Sequence, residues 1–130
     1  MANTYVQSLV HIVFSTKDRR PIITNESKLW AYMTGICKNE KIFVNEIGGM
    51  SDHVHLLIQQ PPTMVLSDIV YTIKTGSSQW MGPKFAWQRG YGAFSVSASN
   101  IDTVVRYIRT QKKHHYDPKE SFHGARSVRA

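Results

Sequence analysis

The chain lacks the features that would assign it to an oxidising compartment or to a membrane. Its 130 residues include a single cysteine, Cys37, so no disulfide can form within the chain. No apolar run reaches the length of a membrane span, and residues 1–4 lack the basic start and apolar stretch of a signal peptide. We therefore expect a cytoplasmic protein that has no membrane partner.

Acidic residues are also scarce. Nine Asp and Glu occur against sixteen Lys and Arg, which gives a net charge of +7. Five of these seven net charges lie in the last 25 residues, through Arg106, Arg109, Lys112, Lys113, Asp117, Lys119, Glu120, Arg126 and Arg129. The asymmetry indicates a part of the chain that binds anions, and a polyanion is the first partner to consider. A basic surface that serves only solubility remains an alternative.

The length suits one domain, and hydrophobic periodicity predicts the order strand, helix, strand, strand, helix, strand, helix. The predicted strands cover residues 5–16, 41–48, 53–59 and a segment around 94–96, and the predicted helices cover about 25–38, 63–80 and 100–111. Gly48-Gly49 is expected to form a tight turn or bulge before the third strand. The first six elements match a ferredoxin-like α+β fold, an antiparallel sheet with helices on one face. A C-terminal helix follows it.

Two histidines share one face of the third predicted strand. Side chains alternate along a strand, so Val54, Leu56 and Ile58 would enter a core while His53 and His55 face the other way. Two imidazoles at this spacing can bind one divalent metal, although paired histidines on strands are also ordinary half-buried polar residues. A metal site therefore requires a third ligand.

The C-terminal helix supplies a candidate ligand and a candidate nucleophile. Gln111 carries an amide oxygen, a hard donor that suits Mg²⁺ or Mn²⁺ alongside imidazole. Tyr107 lies one turn earlier on the same side of the helix, predicted to be the side opposite the apolar stripe. A metal that polarises a phosphoryl group would allow its phenol to attack a phosphodiester.

Other segments allow two interpretations each. Lys74 lies on a polar face of the second helix that could bind phosphate or simply be solvated. Trp87, Arg89 and Tyr91 could bind single-stranded nucleic acid or contribute to packing. His11, on the first strand, has no partner near it in sequence, and we interpret it as structural.

The sequence resembles a known family at these residues. The segment 52–57 (DHVHLL) is similar to the HUH motif, and 107–111 (YIRTQ), followed by His114 and His115, is similar to the tyrosine helix of single-tyrosine HUH transposases. These are transposases of bacterial insertion sequences that move as single-stranded DNA, with relatives associated with REP palindromes. The resemblance includes the segments VHIVFSTKDRRP and WQRGYGAFSVS and extends over most of the chain.

The resemblance implies a mechanism and partners. His53, His55 and Gln111 would hold Mg²⁺ or Mn²⁺, and Tyr107 would cut single-stranded DNA to leave a 5′-phosphotyrosine link and a free 3′-OH. DNA hairpins at the element ends and a homodimer whose active site two chains can share are the implied partners. Basic and polar residues are candidate DNA contacts, namely Lys74, Arg89, Arg106, Arg109, Lys112, Lys113 and His114.

Two other functions are compatible with the same residues. One is a non-catalytic, domesticated domain that binds single-stranded nucleic acid, and the other is an HUH replication-initiator or relaxase-type nickase. The chain is expected to be one transposase domain over residues 1–130. Its segment from about 117 to 130 departs from the family pattern and is expected to be a flexible or truncated tail.

Overall fold

The chain folds around an antiparallel sheet of five strands. The structure, a computed structural model, describes residues 8–111 and the backbone of residues 126–128. The strands are β1 (Leu9–Ser15), β2 (Phe43–Met50), β3 (His53–Gln59), β4 (Tyr91–Val96) and β5 (Arg126–Val128), and the helices are α1 (Glu26–Asn39), α2 (Leu66–Met81) and α3 (Ile101–Arg109). The sheet order is β2-β3-β1-β4-β5, with every neighbouring pair antiparallel. The first four strands and two helices confirm the predicted ferredoxin-like plan.

Helices α1 and α2 cover one face of the sheet. Leu29, Met33 and Cys37 recur every four residues along α1 and are fully buried, as are Ile69 and Ile73 of α2. Burying side chains of this size stabilises the fold by about 1.5–3 kcal/mol each. Alternate residues of the two central strands complete this first core, namely Val10, Ile12, Phe14, Val54, Leu56 and Ile58.

Helix α3 packs on the other face of the sheet. Its Ile108 is 1% exposed and forms a second, smaller core with Leu9, Leu57 and Val96. Tyr107 packs against this second core. Tyr107 and Gln111 were predicted to lie on the side opposite the apolar stripe, and this prediction is wrong. Residues at positions 104, 107, 108 and 111 follow the i, i+3, i+4, i+7 spacing of a single helix face, and that face lies on the sheet.

The turn between β2 and β3 lies at Ser51 and Asp52 rather than at the predicted Gly48-Gly49. Both glycines are inside β2, where Gly48 pairs with His55, and the β2 bulge falls between Val44 and Glu46. A Cβ at Gly48 would lie 2.7 Å from the backbone oxygen of Ile108. Glycine is therefore present because the backbone of α3 approaches the strand closely at this point.

Some of the residues for which the sequence made predictions lie outside the described part of the chain. The candidate DNA contacts Lys112, Lys113 and His114 lie there, as does the predicted tail except for the backbone of 126–128 in β5. Within the described part of the chain, no helix is long and apolar enough to cross a membrane.

The close approach of α3 at Gly48 predicts a specific stability effect. Gly48→Ala should lower the free energy of unfolding by about 1–3 kcal/mol, because an added methyl group must displace the α3 backbone. Gly35→Ala is the matched control, since a Cβ at Gly35 on α1 meets no atom within 4 Å. It should leave stability unchanged or raise it by up to about 1 kcal/mol. Urea unfolding measures both, and equal stabilities of the two variants would contradict the close approach.

Candidate active site

The two histidines of β3 lie side by side beneath α3. Their ring centroids are 5.0 Å apart, and the rings are nearly perpendicular at 80°. His53 is 8% exposed and His55 is 2% exposed. Because β3 is the second strand of the sheet and pairs on both sides, the backbone that carries these rings is held by two sets of ladder hydrogen bonds.

His53 is oriented by the residue that precedes it. Its Nδ1 lies 2.7 Å from Asp52 Oδ1, and the other oxygen of that carboxylate lies 3.4 Å from Arg19 Nη2. A carboxylate only accepts hydrogen bonds, so His53 donates its Nδ1–H to Asp52. In a neutral ring this proton leaves the lone pair on Nε2, which makes Nε2 the nitrogen that can bind a metal.

His55 has a different partner, a third histidine. Its Nδ1 lies 2.9 Å from Nε2 of His11 on β1. Burial lowers the pKa of His11 from 6.5 to about 4. Burial also lowers the pKa of His55 well below 6.5, as do the neighbouring His11, His53 and Arg19, while a hydrogen bond to Gln111 acts in the opposite direction. Both rings are therefore neutral at pH 7, the form in which histidine binds metals.

Gln111 brings an oxygen to the histidines. It is 6% exposed, its Oε1 lies 3.2 Å from His53 Nε2, and its Nε2 donates to the Tyr107 carbonyl at 3.0 Å. That second bond fixes which end of the amide faces His53, since a carbonyl oxygen cannot accept from another oxygen. If the His53 ring is neutral, the oxygen of Gln111 and the lone pair of His53 Nε2 point at each other. Two acceptors repel unless a proton or a cation lies between them.

This donor set fits a hard divalent cation. Two imidazoles and one amide oxygen are suitable ligands for Mn²⁺, and Mg²⁺ accepts the oxygen with water completing its shell. Within residues 8–111, no three His, Cys, Asp or Glu side chains come together in a way that could hold a metal ion. At this place Gln111 would add a third donor to His53 and His55.

Tyr107 lies beside the histidines of its own chain. Its ring centroid is 5.5 Å from that of His55 and 6.2 Å from that of His11, with both ring pairs close to edge-to-face. Tyr107 and Gln111 are one helical turn apart, and the buried Ile108 between them anchors this turn to the sheet. A phenol, two imidazoles and an amide thus converge from two elements that lie more than fifty residues apart.

Comparisons with known proteins assign the chain to a family. The sequence model described as "Transposase IS200 like" matches residues 4–111. The chain belongs to the IS200-like transposase family. It is 27% identical over 124 residues to the transposase for insertion sequence element IS200 of Salmonella typhimurium strain LT2, and equally to that of Salmonella typhi. Each alignment covers 85% of this chain and 81% of the relative.

Two solved structures share the fold of this family member. A crystal structure of a candidate transposase from Deinococcus radiodurans R1 matches with a TM-score of 0.66 and 24% identity, covering 85% of this chain and 96% of that one. The structure of a REP-associated tyrosine transposase bound to a REP hairpin matches with a TM-score of 0.69 and 16% identity, covering 88% of this chain and 73% of that one. At these identities the two structures support the fold alone.

The basic residues predicted to contact DNA occupy different places in this IS200-like transposase. Lys74 lies on the α1–α2 side, where its Nζ donates to the carbonyls of Gln88 and Gly90 at 2.9 and 2.8 Å and burial lowers its pKa. It holds the loop before β4, in which Arg89 is exposed. Arg106 and Arg109 are both exposed on α3, next to the predicted active site, and Arg109 pairs with Glu46 at 3.0 Å.

Two neighbours of the histidines were not among the sequence-predicted site residues. Asp52 immediately precedes His53, so the sequence already contained the signal for it. His11 was interpreted as structural because it is 44 residues from His55. Only the strand register, in which Val13 pairs with His55 and His11 with Leu57, places it on the same face beside His55. The aromatics Trp87 and Tyr91 belong to packing, since Trp87 contacts Phe14 edge-to-face and Tyr91 is 6% exposed.

The lowered pKa values predict acid sensitivity of the metal-free protein. Between pH 6.5 and about 4 the unfolded chain binds a proton at His11 that the folded chain does not, so stability falls as pH falls through this range. The His11 contribution is about 3 kcal/mol, at roughly 1.4 kcal/mol for each pH unit of the pKa difference. His55 acts in the same direction. Urea unfolding in a chelating buffer across this range measures the effect. His11→Phe should make the decline shallower, and an unchanged decline would contradict the assignment.

Proposed function

We propose that this transposase cuts and rejoins single-stranded DNA through a 5′-phosphotyrosine intermediate at hairpin-bearing element ends. Tyr107 is the nucleophile, and His53, His55 and Gln111 hold Mg²⁺ or Mn²⁺. The observation that carries the proposal is the position of Tyr107 against His55 while Gln111, just past the end of α3, faces His53. This arrangement supports a nucleophile and a set of metal donors that act on one phosphate.

The covalent step is a transesterification. Tyr107 Oη attacks the phosphorus of the scissile phosphodiester, and the bond from phosphorus to the 3′ oxygen breaks as the bond to tyrosine forms. The phenol loses its proton and the released 3′ oxygen gains one, so the products are a 5′-phosphotyrosine and a free 3′-OH. Attack by a 3′-OH on the phosphotyrosine reverses these changes and rejoins strands without an external energy source.

The divalent ion, when bound, polarises the scissile phosphate and stabilises the negative charge that develops on it. The residues of the chain orient this chemistry. Asp52 fixes the His53 ring, and the peptide carbonyl of Tyr107 fixes the Gln111 amide. Exposed Arg106 and Arg109 on α3 and exposed Arg19 beside Asp52 are cations suited to phosphate oxygens.

The DNA hairpin and the homodimer belong to the same proposal. A structural relative was solved with a REP hairpin, which supports a hairpin as substrate here. The chain brings Tyr107 to its own His55, so each subunit of a homodimer has the parts of one site without exchanging α3. The second candidate function is binding of single-stranded nucleic acid without catalysis, and it predicts no covalent product.

Tyr107→Phe tests the nucleophile. Incubation of the protein with single-stranded hairpin DNA and Mn²⁺ should give a covalent adduct on a denaturing gel, and the variant should give none because the attacking oxygen is gone. Hairpin affinity should change by less than about twofold, since phosphate contacts provide most of the affinity. Tyr71→Phe is the matched control, because Tyr71 is 66% exposed on α2, and it should form the adduct normally. An adduct that persists in Tyr107→Phe would refute the assignment, and its absence in the unmodified protein would favour the binding-only function.

Loss of the metal should have the same effect as loss of its ligands. Chelation should abolish the adduct, and added Mn²⁺ should restore it in the unmodified protein but not in His53→Ala, which lacks one donor nitrogen. Both samples should retain hairpin binding, measured by gel shift, because the basic surface is unchanged. Circular dichroism checks that the variant is folded. A folded His53→Ala that still forms the adduct with Mn²⁺ would remove His53 from the metal site.

A further inference from the structure

His11 is a buried polar residue that the proposed chemistry does not use. It lies on the central strand β1, is 2% exposed, and has its Nε2 2.9 Å from Nδ1 of His55. Its ring also contacts Phe94 edge-to-face at 4.5 Å and faces Tyr107 at 6.2 Å. A buried polar ring held from three sides by an imidazole, a phenyl group and a phenol has a fixed orientation toward His55.

The two metal-binding histidines need their protons in a defined place. A neutral imidazole carries one N–H, and the nitrogen that binds a metal must be the other one. His53 meets this requirement by donating Nδ1–H to Asp52. If His55 is to bind through Nε2, its proton must lie on Nδ1, and that nitrogen faces Nε2 of His11. His11 can accept this proton's hydrogen bond when its own proton is on Nδ1.

The geometry points to His11 as a positioning residue of the metal site, whose Nε2 accepts the Nδ1–H of His55 and so directs the Nε2 lone pair of His55 toward the ion. This inference rests on the proposed function, because it concerns the metal that His53, His55 and Gln111 would hold. A ligand histidine usually donates its second N–H to a carboxylate, a carbonyl or water. Here an imidazole takes that place.

The surroundings explain why a histidine suits this position. Position 11 faces the second core, next to Leu57 across the strand pair and to Phe94 on β4, and a carboxylate there would be buried among apolar groups at a large cost in solvation. Asp52, which orients the other ligand, lies in a turn, and 27% of its side chain is exposed. A neutral imidazole can accept a hydrogen bond at the buried position without adding a charge.

The test is metal affinity of the full chain without DNA, measured by titration with Mn²⁺ while electron paramagnetic resonance reports the free ion. His11→Phe keeps a ring but has no acceptor, and it should weaken Mn²⁺ binding by about 10–100-fold, as loss of a residue that orients a metal ligand usually does. His11→Gln can still present an amide oxygen to His55 and should recover most of this loss. Val13→Ala is the matched control, because Val13 is 3% exposed and pairs directly with His55 but offers no hydrogen bond. It should bind as the unmodified protein does.

A second measurement does not depend on any variant. In the Mg²⁺-saturated protein, ¹⁵N chemical shifts should show His55 protonated at Nδ1 and His11 unprotonated at Nε2. Protonation of His55 at Nε2 would overturn the inference. It would also be overturned if His11→Phe bound Mn²⁺ as tightly as Val13→Ala. Either result would leave the role of Tyr107 intact. An unmodified protein that binds no Mn²⁺ would overturn the inference together with the proposed metal site. Adduct formation tests Tyr107 separately.

Discussion

The proposed active site depends on the contact between α3 and the face of the sheet that α1 and α2 leave uncovered. Ile108 is the anchor, buried against Leu57 and close to the backbone of Gly48. Helical geometry then determines the rest, since Tyr107 precedes the anchor by one residue and Gln111 follows it by three. The same contact that stabilises the helix therefore brings a phenol to His55 and an amide to His53.

Neutral histidines make this site compatible with burial. Ion pairs are costly to bury, whereas neutral imidazoles keep their lone pairs and lose little solvation. The carboxylate that orients His53 lies in the β2–β3 turn, and the buried partner of His55 is another imidazole. Charge is thereby kept at the edge of the proposed site, while His55 and Gln111 are buried inside it. The low dielectric of a buried site strengthens the attraction between such donors and a cation.

Local rules predicted the elements and the face of β3 that carries the two histidines, but they could not predict how distant elements meet. The alternation of Val54, Leu56 and Ile58 with the histidines predicted β3 and its two faces correctly. The four-residue spacing of Tyr107 and Gln111 predicted correctly that the two lie close together, and Gln111 donates to the Tyr107 carbonyl. The predicted orientation of these two residues was wrong. The buried face of a helix is decided by the surface on which it packs, and the sequence does not show that α3 packs across Gly48. The role of His11 was missed for a related reason, since strand register is a long-range property.

The two faces of the sheet differ in how strongly they hold their helices. Helices α1 and α2 bury long stripes in the first core, whereas α3 has one fully buried side chain, Ile108, supported by partly buried Val104 and Val105. The ion pair of Arg109 with Glu46 lies at the surface and contributes at most about 1 kcal/mol. Opening of α3 therefore costs less free energy than unfolding of the domain. The histidines of β3 would remain in place in such an opened state, while Tyr107 and Gln111 would leave together. Because Gln111 follows the end of α3 by two residues and bonds to the Tyr107 carbonyl, the proposed nucleophile and the proposed third ligand would move as a unit.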